Sequence, residues 1–75
     1  MHRIEDEAGE TWDVVLGRES WGAFFALFIP RKGDVDRARK SLLEARDQGE
    51  ALRALIAMDR DELLELLRNS VAKEK

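Results

Sequence analysis

The feature that most constrains the fold of this chain is a change in hydrophobic period at Pro30. Before Pro30, apolar residues either alternate with polar ones or form one short run, which is typical of β-strands. From Asp34 onward, apolar residues recur every three or four positions, which is typical of amphipathic helices. The sequence therefore predicts an α+β fold, in which a two- or three-stranded antiparallel sheet precedes two to three α-helices packed on one face.

The size of the chain predicts one small domain. Its 75 residues suggest a β part over 1–33 and a helical part over 34–75. The chain has no cysteine and a single histidine, His2, so we expect no disulfide, no metal site and no cofactor. Charged residues make up 39% of the chain, but the net charge is only −3, which argues against a dedicated duplex-DNA binder.

The first part of the chain predicts a hairpin. A short strand over 3–7 is followed by a turn at 8–10, where Gly9 supplies the positive φ that tight turns favour. A second strand over 11–16 places Trp12, Val14 and Leu16 on one apolar face. Residues 17–20 are predicted to form the connection to the next strand.

The segment Trp21–Pro30 is apolar on both faces. As a strand, it has Phe24, Ala26 and Phe28 on one side and Ala23, Phe25, Leu27 and Ile29 on the other. A buried helix is the alternative, but the aromatic and β-branched content and the flanking Gly22 and Pro30 favour a strand. If strand order follows the chain, this strand lies at an edge that needs cover. We therefore expect a homodimer or a protein partner, with the interface formed by Trp21, Phe24, Phe25, Leu27, Phe28 and Ile29.

Aspartates at helix-start positions divide the second part of the chain. Asp47 and Asp59 each have a glutamate three residues later, which is capping-box spacing. The pattern predicts helices over 35–46, 48–58 and 60–72, or one bent helix over 35–58 in place of the first two. The helix over 48–58 is apolar nearly all round, so we expect it to be central and buried.

A nucleic-acid-associated regulator is the alternative function. Basic residues cluster around 31–40, near the predicted aromatic strand, and bases can stack on aromatic rings beside cations that bind phosphate. The candidate residues for contact with nucleic acid or another anion are Arg18, Arg31, Lys32, Arg37, Arg39 and Lys40.

No residue pattern predicts catalysis. Ser20 lies in a glycine-flanked segment, but the only histidine is distant in sequence, so we expect no catalytic residue, no enzyme activity and no small-molecule substrate. The acidic residues between Glu5 and Asp13 lack the ligand register of a calcium loop. A helix-turn-helix over 48–72 is disfavoured by the carboxylates of its second helix.

Membrane association and secretion are not expected either. The longest apolar run has ten residues, whereas a spanning helix needs roughly 20. No signal peptide is visible, so the cytoplasm is the expected location. The sequence thus favours a small, self-associating, non-enzymatic protein-interaction or regulatory module.

Overall fold

A five-stranded antiparallel sheet forms one layer of the molecule, and two helices form the other. The computed structural model describes residues 2–19, 22–32 and 37–73. The strands follow one another across the sheet in chain order, and both helices lie between the fourth and fifth strands in sequence. The elements are β1 (His2–Glu5), β2 (Thr11–Arg18), β3 (Phe24–Pro30), β4 (Arg39–Leu43), α1 (Gln48–Ala57), α2 (Arg60–Arg68) and β5 (Val71–Ala72).

The predicted α+β class is confirmed, but the described residues form five strands rather than two or three, whereas their two helices fall within the predicted two to three. The hairpin over the first residues is present, and Gly9 has the positive φ expected of its turn, +84°. β2 is longer than predicted, because it continues through Gly17 to Arg18. The predicted third strand is β3, which ends at Pro30 as expected.

The predicted helix over 35–46 is wrong, and so is the bent helix over 35–58. Residues 39–43 form β4, which pairs antiparallel with β3 from Phe24↔Leu43 to Phe28↔Arg39; residues 34–36 lie outside the described residues. The helix propensities of Arg, Lys and Leu exceed those of poorer helix formers by only a few tenths of a kcal/mol per residue, roughly. Pairing of β4 with β3 outweighs these differences in propensity, since it supplies hydrogen-bond partners for the backbone groups along one side of β3.

The edge position expected for the Trp21–Pro30 strand is also wrong. β3 is the central strand of the sheet, with β2 on one side and β4 on the other. The strand order does follow the chain, but β4 and β5 extend the sheet beyond β3. The backbone of β3 is therefore paired on both sides.

The two helices begin where the aspartate pattern predicts. The Asp47 side chain accepts a hydrogen bond from the Glu50 backbone N–H. Asp59 and Glu62 form a complete capping box. α2 ends at Arg68 rather than near residue 72, because the chain turns at Asn69 and then adds β5 to the edge of β4.

One face of the sheet and the inner sides of the helices form the core. The largest of its fully buried side chains are those of Val14, Phe28, Leu55 and Leu63. The expected burial of α1 on all sides is wrong: only Ala51 and Leu55 of α1 are buried, and Ile56 is 57% exposed. Two helices form a single layer over the sheet, so the outer side of α1 faces solvent.

Candidate functional site

The six residues of the predicted interface divide between the two faces of β3. Phe24 and Phe28 lie on the face under the helices and belong to the core. Leu27 and Ile29 point to the opposite face and are only half-buried. Phe25 also points there but is buried, and Trp21 lies outside the described residues. Of the six, Leu27 and Ile29 therefore offer apolar surface.

The face of the sheet opposite the helices, which we call the open face, carries several apolar side chains in its middle rows. The strand register aligns its side chains in rows across the sheet. The central row contains Val15, Leu27, Lys40 and Val71. Leu42 and Val71 are 65% and 59% exposed. Antiparallel sheets with one covered face usually present polar side chains on the other, so this apolar surface is the main candidate site.

Phe25 is covered on the open face by its neighbours in the sheet. Its ring lies directly over Gly17, where a side chain would collide with it. The Lys40 ammonium lies 5.4 Å from the ring centroid, and Lys40 Nζ also forms an ion pair of 2.9 Å with Glu19 Oε1. Gly17, Phe25, Lys40 and Glu19 thus form a packed unit that defines one end of the open face.

The other end of the open face carries an ion-pair network. Asp13 forms ion pairs with Arg3, at 3.0 Å, and with Arg31, at 3.7 Å. All three side chains are at least one-third exposed, so the network contributes little to the free energy of folding. Its consequence is that charged groups border the apolar rows at the end where β3 stops.

The predicted anion-contacting residues do not form one basic surface. Lys40 lies on the open face, whereas Arg39 lies on the face under the helices. Arg39 donates to Ser70 Oγ at 2.8 Å and to the Ser70 carbonyl oxygen at 2.6 Å. These contacts place its charge at the carboxyl end of α2, where a cation is favourable.

The remaining basic candidates are spread around the sheet. Arg37 forms an ion pair of 2.7 Å with Glu10. Arg18 lies 6.0 Å from the centroid of the Phe24 ring, at the end of β2. Lys32 is exposed beside Arg31. Carboxylates therefore accompany three of the six candidates, namely Arg31, Arg37 and Lys40.

Asp6, in the turn of the first hairpin, serves local structure. Asp6 accepts hydrogen bonds from the Trp12 indole N–H at 3.0 Å and from the backbone N–H groups of Ala8 and Glu10, at 2.9 Å each. The Trp12 bond is the largest cause of a lowered pKa of Asp6, and it and the backbone bonds together outweigh the opposing effect of burial. Asp6 is thus a charged acceptor that closes the β1–β2 turn.

Two cavities border the same turn. One of about 270 Å³ lies between the turn and α2, and it is lined by Asp6, Glu7, Ala8, Leu64, Leu67 and Arg68. The other, of about 530 Å³, is lined by Ala8, Gly9, Glu10, Thr11, Arg31 and Lys32. The carboxylates in their walls are already bound to hydrogen-bond donors or cations. Neither wall, as described, brings a nucleophile together with a base.

The sequence prediction missed three residues of the open face, namely Val15, Leu42 and Val71. Val15 was placed on the polar side of its strand, although the apolar side chain itself was a signal. Leu42 was assigned to a helix that the structure replaces by β4, and Val71 to the end of a helix that stops at Arg68, before β5. Alternation along 39–43 is a weak signal, since only its two leucines are apolar.

Comparison of the chain with known family models, with curated proteins and with solved structures finds no match. Across the described residues, neither helix has the length and apolar character needed to cross a bilayer. The open face is therefore the feature of this protein from which a function can be inferred.

Proposed function

We propose that this protein is a non-enzymatic protein-interaction module that self-associates through the open face of its sheet. The observation that carries this proposal is the exposure of apolar side chains there, foremost Leu42 and Val71. The helices cover only the other face, so a monomer leaves these residues in water. Removing apolar surface from water is the main driving force of association.

The extent of the open face is compatible with an interface. The five strands have four, eight, seven, five and two residues, which at about 4.8 Å between strands and about 3.3 Å per residue give a flat area of about 400 Å². This area falls below the roughly 800 Å² that each partner buries in a standard complex. Side-chain relief increases the accessible area above this flat value. A modest, reversible affinity follows.

The nucleic-acid alternative receives less support from the same geometry. Stacking on bases requires exposed aromatic rings, and the four aromatic side chains in the described part of the chain, Trp12, Phe24, Phe25 and Phe28, are all buried. The basic residues point to different faces, and several are already paired with carboxylates. Steeply salt-dependent binding to generic RNA or DNA would favour the alternative.

The test compares two exposed apolar residues on opposite sides of the molecule. Leu42→Glu places a charge on the open face, and Ile56→Glu places the same charge on the outer side of α1, at similar exposure. Sedimentation equilibrium over micromolar to high micromolar concentrations gives the monomer–dimer constant. We expect the wild type and Ile56→Glu to dimerise and Leu42→Glu to remain monomeric.

Circular dichroism of each variant verifies that the fold is intact. A wild-type protein that stays monomeric at tens of micromolar would refute self-association. Equal effects of the two substitutions would refute the assignment to the open face.

A further inference from the structure

The two ends of the open face carry opposite net charge. At the end where β3 stops, its side chains include three cations and two carboxylates: Arg3, Arg31, Lys73, Glu5 and Asp13. At the other end, Glu19 lies on the open face, as its ion pair with Lys40 shows. The exposed Glu44 follows β4 and points away from the core, since Leu43 and Ala45 on either side of it pack into the core. Even with the Lys40 ammonium, which leans from the central row toward Glu19, these two carboxylates leave this end negative. The apolar central row lies between the two ends.

We infer that the occupant of the open face is a second copy of this chain, packed with the ends of its sheet reversed. The inference rests on the proposed function. Two aligned sheets can be related by a two-fold axis running along the strands or across them. Only the axis across the strands brings the positive end of one copy onto the negative end of the other, whereas the axis along the strands stacks like charges.

The register places the axis on the central row. The open-face rows containing Arg31 and Glu19 are each four residues from Leu27 along the sheet, in opposite directions. A rotation about the central row therefore places Arg31 beside Glu19 of the second copy. Leu27 and Val71 pack against their own symmetry equivalents. Lys40 leans toward Glu19, which carries its ammonium away from the axis and from the other Lys40.

The experiment is a charge exchange read out by sedimentation equilibrium at low salt. Glu19→Lys and Arg31→Glu each replace two symmetric attractions by repulsions, so each should raise the dimer dissociation constant about tenfold or more. The double variant Glu19→Lys/Arg31→Glu rebuilds both attractions with reversed sign, and its dissociation constant should return to within about threefold of the wild type.

Two controls separate the interface from effects within one copy. Glu19→Gln removes the ion pair with Lys40 without reversing the charge, so its effect should be much smaller than that of Glu19→Lys. Arg53→Glu makes the same charge change as Arg31→Glu on the exposed side of α1, and it should leave the dissociation constant unchanged.

A second measurement does not depend on charge. The chain has no cysteine, so Val71→Cys provides a unique thiol at an exposed position. With the axis across the strands, two such thiols face each other over stacked sheets about 10 Å apart, within reach of a short bis-maleimide. We expect efficient cross-linking at Val71→Cys and none at Ile56→Cys, because Ile56 lies on the outer side of α1, away from the open face. The axis along the strands would instead place Val71 near β1 of the other copy, where two Val71→Cys thiols could not be joined.

The outcomes distinguish this inference from the proposed function. Weakening by both single exchanges, with recovery in the double variant and cross-linking at Val71→Cys, supports the reversed dimer. In one contrary result, the wild type dimerises but the single exchanges leave the dissociation constant unchanged; in another, the double variant fails to restore it. Either result would overturn the orientation and leave the proposed function standing. A monomeric wild type would overturn both.

Discussion

Gly17 is a position where one added methyl group should strongly lower the free energy of unfolding, because it would collide with the Phe25 ring. A Cβ at this position would come within 2.9 Å of Phe25 Cδ2 and closer still to the outer ring atoms Cε2 and Cζ. The Phe25 ring, which is now 6% exposed, would have to swing off the sheet into solvent. Its contact with Lys40 would be lost with it.

The expected cost of Gly17→Ala follows from these contacts. Exposing a buried phenylalanine costs about 1.5–3 kcal/mol, and losing the cation–ring contact costs about 0.5–1 kcal/mol. Replacing glycine by alanine within a strand recovers about 0.5–1 kcal/mol. We therefore expect Gly17→Ala to lower the free energy of unfolding by about 2 kcal/mol, within the range for overpacked sites.

Urea denaturation followed by tryptophan fluorescence measures this loss, at concentrations low enough that self-association does not contribute. The decisive comparison is a double-mutant cycle with Phe25→Ala. Without the ring, Gly17→Ala should be neutral or stabilising. A destabilisation of similar size in both backgrounds, or none in the wild type, would refute the steric explanation.

Two further predictions concern carboxylates that accept backbone hydrogen bonds. Asp59→Ala should lower the free energy of unfolding by about 1 kcal/mol, since it removes the N-cap of α2. Asp59→Asn keeps a capping side chain and should retain most of the wild-type stability. Equal losses in both variants would contradict the capping role. Asp6→Asn should lower the urea midpoint at neutral pH. The pKa of Asp6 in the folded state lies below its ordinary value of 3.8, so the stability it adds is complete above that value and is lost as the pH falls through the folded pKa. The difference in urea midpoint between wild type and Asp6→Asn should therefore shrink below about pH 4, and a difference that grows there would contradict this explanation.

The candidate site was only partly predictable from the sequence. The two-sided apolar character of the strand around Leu27 and Ile29 pointed to the correct strand. Two further exposed residues of the same face, Leu42 and Val71, depend on neighbouring strands that local patterns assigned to helices. Conversely, Phe24 and Phe28 were expected at an interface, and the helices bury them.

Several elements of the fold are encoded by local sequence patterns. Gly9 sets the first turn through its positive φ, Asp47 and Asp59 start the helices by accepting backbone hydrogen bonds, and alternation places Trp12 and Val14 on one face. Each of these depends on interactions between residues a few positions apart, which a sequence pattern records directly.

The surroundings of β3, in contrast, depend on long-range strand pairing. The segment 39–43 has adequate helix propensity and becomes a strand because the apolar edge of β3 offers it backbone partners. That single long-range pairing moves β3 from the edge to the centre of the sheet. The exposed apolar surface consequently lies on the open face, rather than at the edge of β3, and non-local pairing is information that no local pattern carries.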